Sequence, residues 1–178
     1  MGVEIVFETH SITEDNEKGK ATGWLPGRLS AIGRENAAAL GVRRRNEGLA
    51  AVFVSDLDRA VETAGIAFSG SDIPILMDWR LRECDYGLFN GAPTQEVHGD
   101  RLAYLETPYP QGESWTGATD RVGHALADLP TRWSGQRVLI IGHVATRWAL
   151  ERFLNGHDLH DLASKEFVWQ EGWEFFLP

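Results

Sequence analysis

Residues 3–13, VEIVFETHSIT, combine a strand-forming run with a short polar ending. Val3, Ile5 and Phe7 recur at every second position, and the β-branched and apolar content of this run favours a strand. The run ends at Thr9-His10-Ser11, and in an open α/β sheet ligands bind outside the carboxyl ends of the strands. His10 therefore lies where chemistry can occur, although a lone histidine in a loop is also common without any function.

The rest of the chain alternates predicted strands with predicted helices. Short apolar runs at residues 50–54, 73–77 and 137–141 predict strands, and residues 138–141 of the last are continuously apolar, as in a central parallel strand. Apolar residues at helical spacing follow the second and fourth strands. This order predicts a single α/β domain, residues 1–178, folded as a three-layer sandwich with a mainly parallel central sheet and helices on both faces.

Local signals predict where several elements begin and end. We expect a helix from the Ser30 cap to a stop at Gly41, a cap at Ser55 or Asp56, a helix end or kink at Pro130, and a C-terminal hairpin of residues 166–170 and 173–177. The basic run Arg43-Arg44-Arg45 is interpreted as a solvated helix end.

The composition of the chain argues against certain partners and cellular compartments. A formal net charge of −9 argues against nucleic acid or an anionic membrane as a partner. The single cysteine, Cys84, allows no internal disulfide, and no apolar run approaches the ~20 residues of a membrane helix. With no signal-peptide pattern at the start, we expect a cytoplasmic protein; its oligomeric state is open.

Three predicted strands end in groups that suit an anion. The first ends at His10, the second at Ser55 with Arg59 one helical turn further, and the central strand at His143. If these strands are parallel, all of these groups project from one edge of the sheet, although strand ends are often polar for no functional reason. Arginine binds phosphate as a rigid fork, and histidine can act as a nucleophile or a cation near neutral pH.

The motifs resemble those of a known family, in the family's order and over nearly the whole chain. The chain is similar to the histidine phosphatase (phosphoglycerate-mutase-like) superfamily in the segments Thr9-His10-Ser11, Leu29-Ser30-Ala31-Ile32-Gly33, Ser55-Asp56-Leu57-Asp58-Arg59-Ala60, Leu81-Arg82-Glu83, Gly112-Glu113-Ser114 and Ile141-Gly142-His143. The resemblance implies the phosphoglycerate-mutase-like fold, phosphoryl transfer through a phosphohistidine, and no metal or other cofactor.

The resemblance also implies a role for several residues. His10 corresponds to the nucleophile, Arg59 and His143 to the phosphate clamp, and Asn16 to a polar neighbour of the phosphate. Glu83 corresponds to the proton donor; a surface ion pair with Arg80 or Arg82 is the alternative for this carboxylate. Many relatives carry an aspartate directly after the second histidine, where this chain has Val144.

The first motif departs from the family pattern. The family reads Arg-His-Gly, whereas this chain reads Thr9-His10-Ser11, so that Thr9 and Ser11 can hydrogen-bond to phosphate but add no charge. Losing one charged donor can cost on the order of 10²–10³ in rate. The arginines considered as replacements are Arg28, Arg82 and Arg147.

The sequence thus predicts a phosphoric monoester hydrolase acting on a small phosphorylated metabolite. A phospho-ligand-binding protein that has lost turnover is the second reading, and a phosphoglycerate-type mutase the third, because residues 91–112 contain only one basic residue, Arg101. His157 and His160 lack a distant third ligand, so no metal site is predicted. Trp24 and Trp115 are candidates for stacking on the substrate or for simple packing.

Overall fold

The computed structural model describes residues 2–178. Its strands are β1 (Val3–Thr9), β2 (Leu49–Val54), β3 (Ile75–Met77), β4 (Arg137–Gly142) and β5 (Trp173–Leu177). Its α-helices are α1 (Glu14–Glu17), α2 (Ala31–Arg44), α3 (Asp58–Ala67), α4 (Thr94–Gly99), α5 (Trp115–Trp133), α6 (Val144–Leu154) and α7 (Leu159–Ser164). Short 3₁₀ helices cover Trp79–Leu81, Gly87–Phe89 and Arg101–Tyr104. Among the helices of residues 2–178, none has the length and apolar content that crossing a bilayer requires.

The strands form one sheet in the order β3-β2-β4-β1-β5. All neighbouring pairs are parallel except β1 and β5. Side chains of β1 alternate between the two faces: Val6 packs in a core with helices α2 and α3, and Phe7 packs in a core with α5 and α6. The predicted α/β three-layer fold with a mainly parallel sheet is therefore confirmed.

Two predicted boundaries are wrong because the residues serve tertiary contacts. Helix α2 does not stop at Gly41 but continues to Arg44, and a Cβ at Gly41 would lie 2.1 Å from the carbonyl oxygen of Ala67. Glycine there allows α2 and α3 to pack closely. Helix α3 begins after Leu57 without a side-chain cap, and the Ser55 hydroxyl instead contacts His143.

The C-terminal prediction is also wrong in part. Residues 166–170 form no strand, and β5 pairs antiparallel with β1, with Phe7 opposite Trp173. β5 forms its strand hydrogen bonds with the free edge of β1, so it does not need residues 166–170 as a hairpin partner. Pro130 does not end α5, which continues to Trp133; Leu129 and Trp133 both belong to the core on that face of the sheet.

The basic run at the end of α2 is a solvated helix end only at Arg45, which is exposed, whereas Arg44 is buried and Arg43 half-buried. Arg44 is buried and its Nε donates to Glu8 at 2.9 Å, while its Nη1 donates to Glu47 at 2.8 Å. Arg43 also reaches Glu8, at 3.3 Å. Glu8 is 1% exposed, and a buried carboxylate requires charged partners of this kind. The run therefore neutralises an acid at the end of β1.

Candidate active site

The register of the sheet brings the predicted strand ends together. Thr9 pairs with Gly142, and Val54 pairs with Ile141, so that β1, β2 and β4 end at the same level. The backbone N–H of His10 also donates to the carbonyl of Gly142 at 3.0 Å. As a result the rings of His10 and His143 lie 5.0 Å apart, centroid to centroid.

His10 is half-buried and has a defined tautomer. Its Nδ1 lies 2.8 Å from the carbonyl oxygen of Ser11. Because a carbonyl oxygen only accepts hydrogen bonds, Nδ1 carries the proton and Nε2 keeps its lone pair. Burial and, second, the Arg59 charge lower the pKa of His10 to about 3. His10 is therefore a neutral imidazole with a free nucleophilic nitrogen.

His143 is held by a serine from the neighbouring strand end. Its Nε2 lies 2.6 Å from the Ser55 hydroxyl oxygen, which also accepts the Leu57 N–H at 3.4 Å. The Ser55 O–H can also donate to Nε2, and this hydrogen bond selects the tautomer with the proton on Nδ1 when an anion beside Nδ1 accepts that proton. Burial lowers the pKa of His143 well below its usual range, with the Arg59 charge as the next cause. His143 is thus a neutral imidazole whose Nδ1 accepts a hydrogen bond from Arg59 Nη2 at 3.5 Å, or donates to a bound anion in the other tautomer.

Arg59 lies in the first turn of α3 and is 2% exposed. Its Nη2 donates to the carbonyl of Gly23 at 2.8 Å and lies 3.5 Å from His143 Nδ1. Two hydrogen-bond donors at this separation can share one anionic oxygen. The arrangement can hold an anionic oxygen beside His10.

Ser55→Ala is expected to weaken the affinity for inorganic phosphate about tenfold, since the tautomer of His143 then lacks its fixing hydrogen bond. The ¹⁵N chemical shifts of the His143 ring in the presence of inorganic phosphate report the tautomer directly. We expect them to move from a protonated Nδ1 towards a mixture of tautomers in the variant. Unchanged ring shifts in a folded Ser55→Ala protein would contradict the role assigned to Ser55.

Glu83 is buried at the amino end of α6 and, within residues 2–178, forms no ion pair at the surface. Its Oε1 accepts the N–H groups of Cys84, at 2.9 Å, and Ala145, at 3.0 Å, and its Oε2 accepts that of Val144 at 3.2 Å. Burial raises the pKa of Glu83, and these N–H groups and Arg59 offset part of that rise. Arg82, the predicted alternative partner, forms two hydrogen bonds with Asp56 instead.

The remaining predicted phosphate-binding residues, Thr9, Ser11 and Asn16, line the same cavity as His10. The backbone N–H of Ser11 donates to the Thr63 hydroxyl at 3.0 Å, which fixes the turn after His10. The side chain of Asn16 accepts the N–H of Thr13 at 3.0 Å and so caps α1. Its side-chain amide nitrogen remains the part of Asn16 that can donate to a ligand.

The structure does not bring the suggested replacement arginines to the cavity. Arg82 pairs with Asp56 and lies 4.6 Å above the Trp24 ring, and Arg147 pairs with Glu151 and lies 4.8 Å above Trp173. Arg28 is exposed in a separate groove. Within residues 2–178, the guanidinium groups that line the cavity are those of Arg43 and Arg59.

The cavity has a volume of about 710 Å³ and a partly aromatic wall. Trp24 and Trp115 do not contribute to it: the Trp24 indole N–H donates to the Glu83 carbonyl at 2.6 Å, and Trp115 lies in the core. The aromatic side chains that line it are Tyr86, Phe167 and Trp169.

Sequence reasoning missed three features of the site. The contact of Ser55 with His143 could have been found, because Ser55 ends a strand at the same edge as both histidines. Nothing in the sequence predicted that Arg43 and Trp169 line the cavity. Arg43 lies in a basic helix end, and Trp169 lies in a segment predicted as a hairpin strand.

A family model described as the histidine phosphatase superfamily (branch 1) matches residues 5–167. The chain is 29% identical, over an alignment of 204 positions, to a 2,3-bisphosphoglycerate-dependent phosphoglycerate mutase of Neisseria meningitidis serogroup C (strain 053442). The alignment covers 92% of this chain and 90% of that protein.

Solved structures share the fold. Bacillus stearothermophilus YhfR superposes with a TM-score of 0.84 at 28% identity, covering 95% of this chain and 88% of the other. The alpha-ribazole phosphatase from Shigella flexneri superposes with a TM-score of 0.79 at 22% identity, covering 89% and 83%. The second likeness concerns the fold alone.

Proposed function

The chain belongs to the histidine phosphatase superfamily, and on this basis we propose that it hydrolyses a small phosphorylated metabolite through a phosphohistidine intermediate. The observation that carries the proposal is the state of His10: with its Nδ1 proton committed to the Ser11 carbonyl, Nε2 presents a lone pair to the cavity. Arg59 and His143 lie beside that lone pair as donors to a phosphoryl group.

The reaction has two steps. In the first, Nε2 of His10 attacks phosphorus, the P–N bond forms, the bond to the ester oxygen breaks, and protonated Glu83 gives its proton to that oxygen. In the second, Glu83, now a carboxylate, takes a proton from water as the water oxygen attacks phosphorus. The P–N bond then breaks, so that inorganic phosphate leaves and His10 is neutral again. Arg59 and His143 hold the equatorial oxygens in both steps.

The direct test is turnover with trapping of the intermediate. Purified protein is incubated with p-nitrophenyl phosphate and a panel of phosphorylated metabolites labelled at phosphorus, then denatured in alkali. We expect release of phosphate and a label on the protein that acid removes, as for a phosphohistidine. Absence of both turnover and acid-labile label would overturn the proposal.

Glu83→Gln is expected to lose about 10²–10⁴ in kcat/KM on an alkyl phosphate but less than about tenfold on p-nitrophenyl phosphate. An alkoxide needs a proton to leave, whereas nitrophenolate leaves with little help. Equal losses on the two substrates would argue against Glu83 as the acid.

The native protein and Glu83→Gln are expected to differ in the pH dependence of kcat/KM. His10 must be neutral, and its pKa of about 3 places the acid limb of kcat/KM near pH 3. Glu83 must be protonated, so kcat/KM of the native protein falls as pH rises through its raised pKa. The second ionisation of the ester, near pH 6, acts on both proteins alike. The ratio of native to Glu83→Gln activity therefore isolates the loss due to Glu83, and we expect that ratio to decrease with rising pH.

A phospho-ligand-binding protein with little turnover is the second candidate. The observation in its favour is Thr9, which lines the cavity where the family has arginine, whereas Arg82 and Arg147 pair with other carboxylates and Arg28 lines a separate groove. In this case inorganic phosphate would raise Tm without any phosphohistidine forming on addition of the phosphorylated panel.

A mutase is the weaker candidate despite the similarity to phosphoglycerate mutases. A mutase must hold a second anionic group while the phosphohistidine is present. The cationic side chains lining the cavity within residues 2–178 are Lys20, Arg43 and Arg59, against the acids Glu8, Glu83 and Glu171. Arg43 already contacts two of these acids, which leaves little charge for a second phosphate.

A further inference from the structure

The active-site cavity extends well beyond the phosphate clamp. Its volume of about 710 Å³ is in the range of pockets that hold whole drug-sized ligands, roughly 300–1,000 Å³. One side of the cavity, which we call the α2 arm, is lined by Asn36, Ala39, Leu40 and Arg43 of α2 and by Phe167, Trp169 and Glu171 of the segment before β5. The α2 arm is continuous with the cavity wall formed by His10.

The charges of the α2 arm neutralise one another. Arg43 Nη2 lies 3.3 Å from a carboxylate oxygen of Glu8, and its Nη1 lies 3.8 Å from one of Glu171. Arg44 gives Glu8 a second and closer partner at 2.9 Å. A carboxylate or phosphate on a ligand in this arm would have to compete with Glu8 and Glu171 for Arg43. The arm is therefore unsuited to an anionic group.

Apart from Asn36, the uncharged side chains of the arm are apolar, and its two aromatic ones are exposed. Phe167 is 38% exposed and Trp169 is 56% exposed, and both line the cavity. Ala39 and Leu40 line the same cavity. Covering aromatic surface of this size with an apolar ligand is favourable, and flat rings also stack on indole.

Thr9 also makes the cavity less suited to a second anionic group. A threonine at the end of β1 is smaller than the arginine of the family pattern and carries no charge. The substitution leaves more room and less positive potential next to His10.

We propose that the α2 arm binds the leaving group of the substrate, and that the substrate is a monophosphate ester of an uncharged, largely apolar alcohol that carries an aromatic ring. The proposal rests on the phosphatase function proposed above and names its substrate class. The phosphoryl group occupies the clamp at His10, and the ring lies against Trp169 and Phe167.

A matched series of esters tests this preference. Ethyl phosphate, phenethyl phosphate and para-carboxyphenethyl phosphate are all esters of primary alcohols and differ in the group that would enter the arm. We expect kcat/KM for phenethyl phosphate to exceed that for ethyl phosphate by at least about 30-fold, as for apolar groups in fitted pockets. The added carboxylate is expected to remove most of that gain, because Glu8 and Glu171 already occupy Arg43.

Variants assign the preference to the arm. Trp169→Ala is expected to lower the ratio of phenethyl to ethyl activity about tenfold. Trp79→Ala is the matched control, since Trp79 is similarly exposed, at 54%, but does not line this cavity; its ratio should equal that of the native protein. A native ratio near one, or a ratio that Trp169→Ala leaves unchanged, would overturn the proposal while hydrolysis of all three esters leaves the phosphatase function standing.

Binding of non-hydrolysable analogues separates the two proposals if no ester is hydrolysed. Calorimetry with ethylphosphonate and phenethylphosphonate measures how much the arm contributes to binding affinity when no bond can be hydrolysed. Tighter binding of phenethylphosphonate by at least about tenfold, lost in Trp169→Ala, supports the arm even where turnover fails. Equal binding of the two phosphonates overturns it.

Discussion

His10→Ala is expected to lower kcat by about 10⁴-fold or more and to abolish the acid-labile phosphoprotein, because the P–N bond can then no longer form. The fold should survive the change. His10 is only half-buried at a strand end, so its removal leaves no large core cavity, and Tm should stay within about 4 °C of the native value. Rapid-quench kinetics with labelled phenethyl phosphate measures both kcat and the amount of acid-labile phosphoprotein.

His124→Ala is the matched control for this experiment. His124 lies on α5, is exposed, and does not line the cavity. Its variant should match the native protein in turnover and in labelling. A His10→Ala protein that still turns over at a native rate, or still becomes labelled, would remove His10 from the mechanism.

Arg59→Gln is expected to lower kcat/KM by about 10²–10³ and to weaken inhibition by inorganic phosphate, since one donor of the clamp is lost. Arg59 is also buried and holds the Gly23 carbonyl, so the glutamine variant can lose stability as well. Arg59→Lys separates the two effects. Lysine keeps the charge but not the rigid fork, and we expect an intermediate loss of activity with a Tm closer to the native value.

Arg34→Gln serves as the control for Arg59. Arg34 is exposed and pairs with Glu62 at 2.8 Å, outside the cavity. Exposed pairs of this kind contribute little, so kcat/KM should change less than about twofold. If folded Arg59→Gln binds inorganic phosphate as well as Arg34→Gln does, Arg59 is not part of the phosphate clamp.

Much of the architecture could be predicted because it depends on local pattern. The alternation in residues 3–9 and the apolar run before His143 identify β1 and β4, and helical spacing after residue 57 identifies α3. Parallel strands then require their carboxyl ends to meet at one edge. For this reason His10, Arg59 and His143 could be expected to lie together before any coordinates were known.

Other features depend on contacts between residues far apart in the chain. Glu83 becomes a buried carboxyl only because its loop packs on the amino end of α6, more than 60 residues later. The residue types at and around position 83 are the same whether Glu83 is buried or forms an exposed ion pair, so the sequence allowed both. The same applies to Gly41, whose role is set by the approach of α3.

Local sequence pattern specifies the α/β class, the order of the main strands and helices, and the histidines and arginine at the edge of the sheet, since strand and helix periodicity are properties of neighbouring residues. The tertiary structure alone decided the burial of Glu83, the neutralisation of Arg43 by Glu8 and Glu171, and the placement of Trp169 in the cavity wall. Burial, pKa and charge neutralisation depend on which distant side chains pack against a group, and that information exists only once the chain has folded.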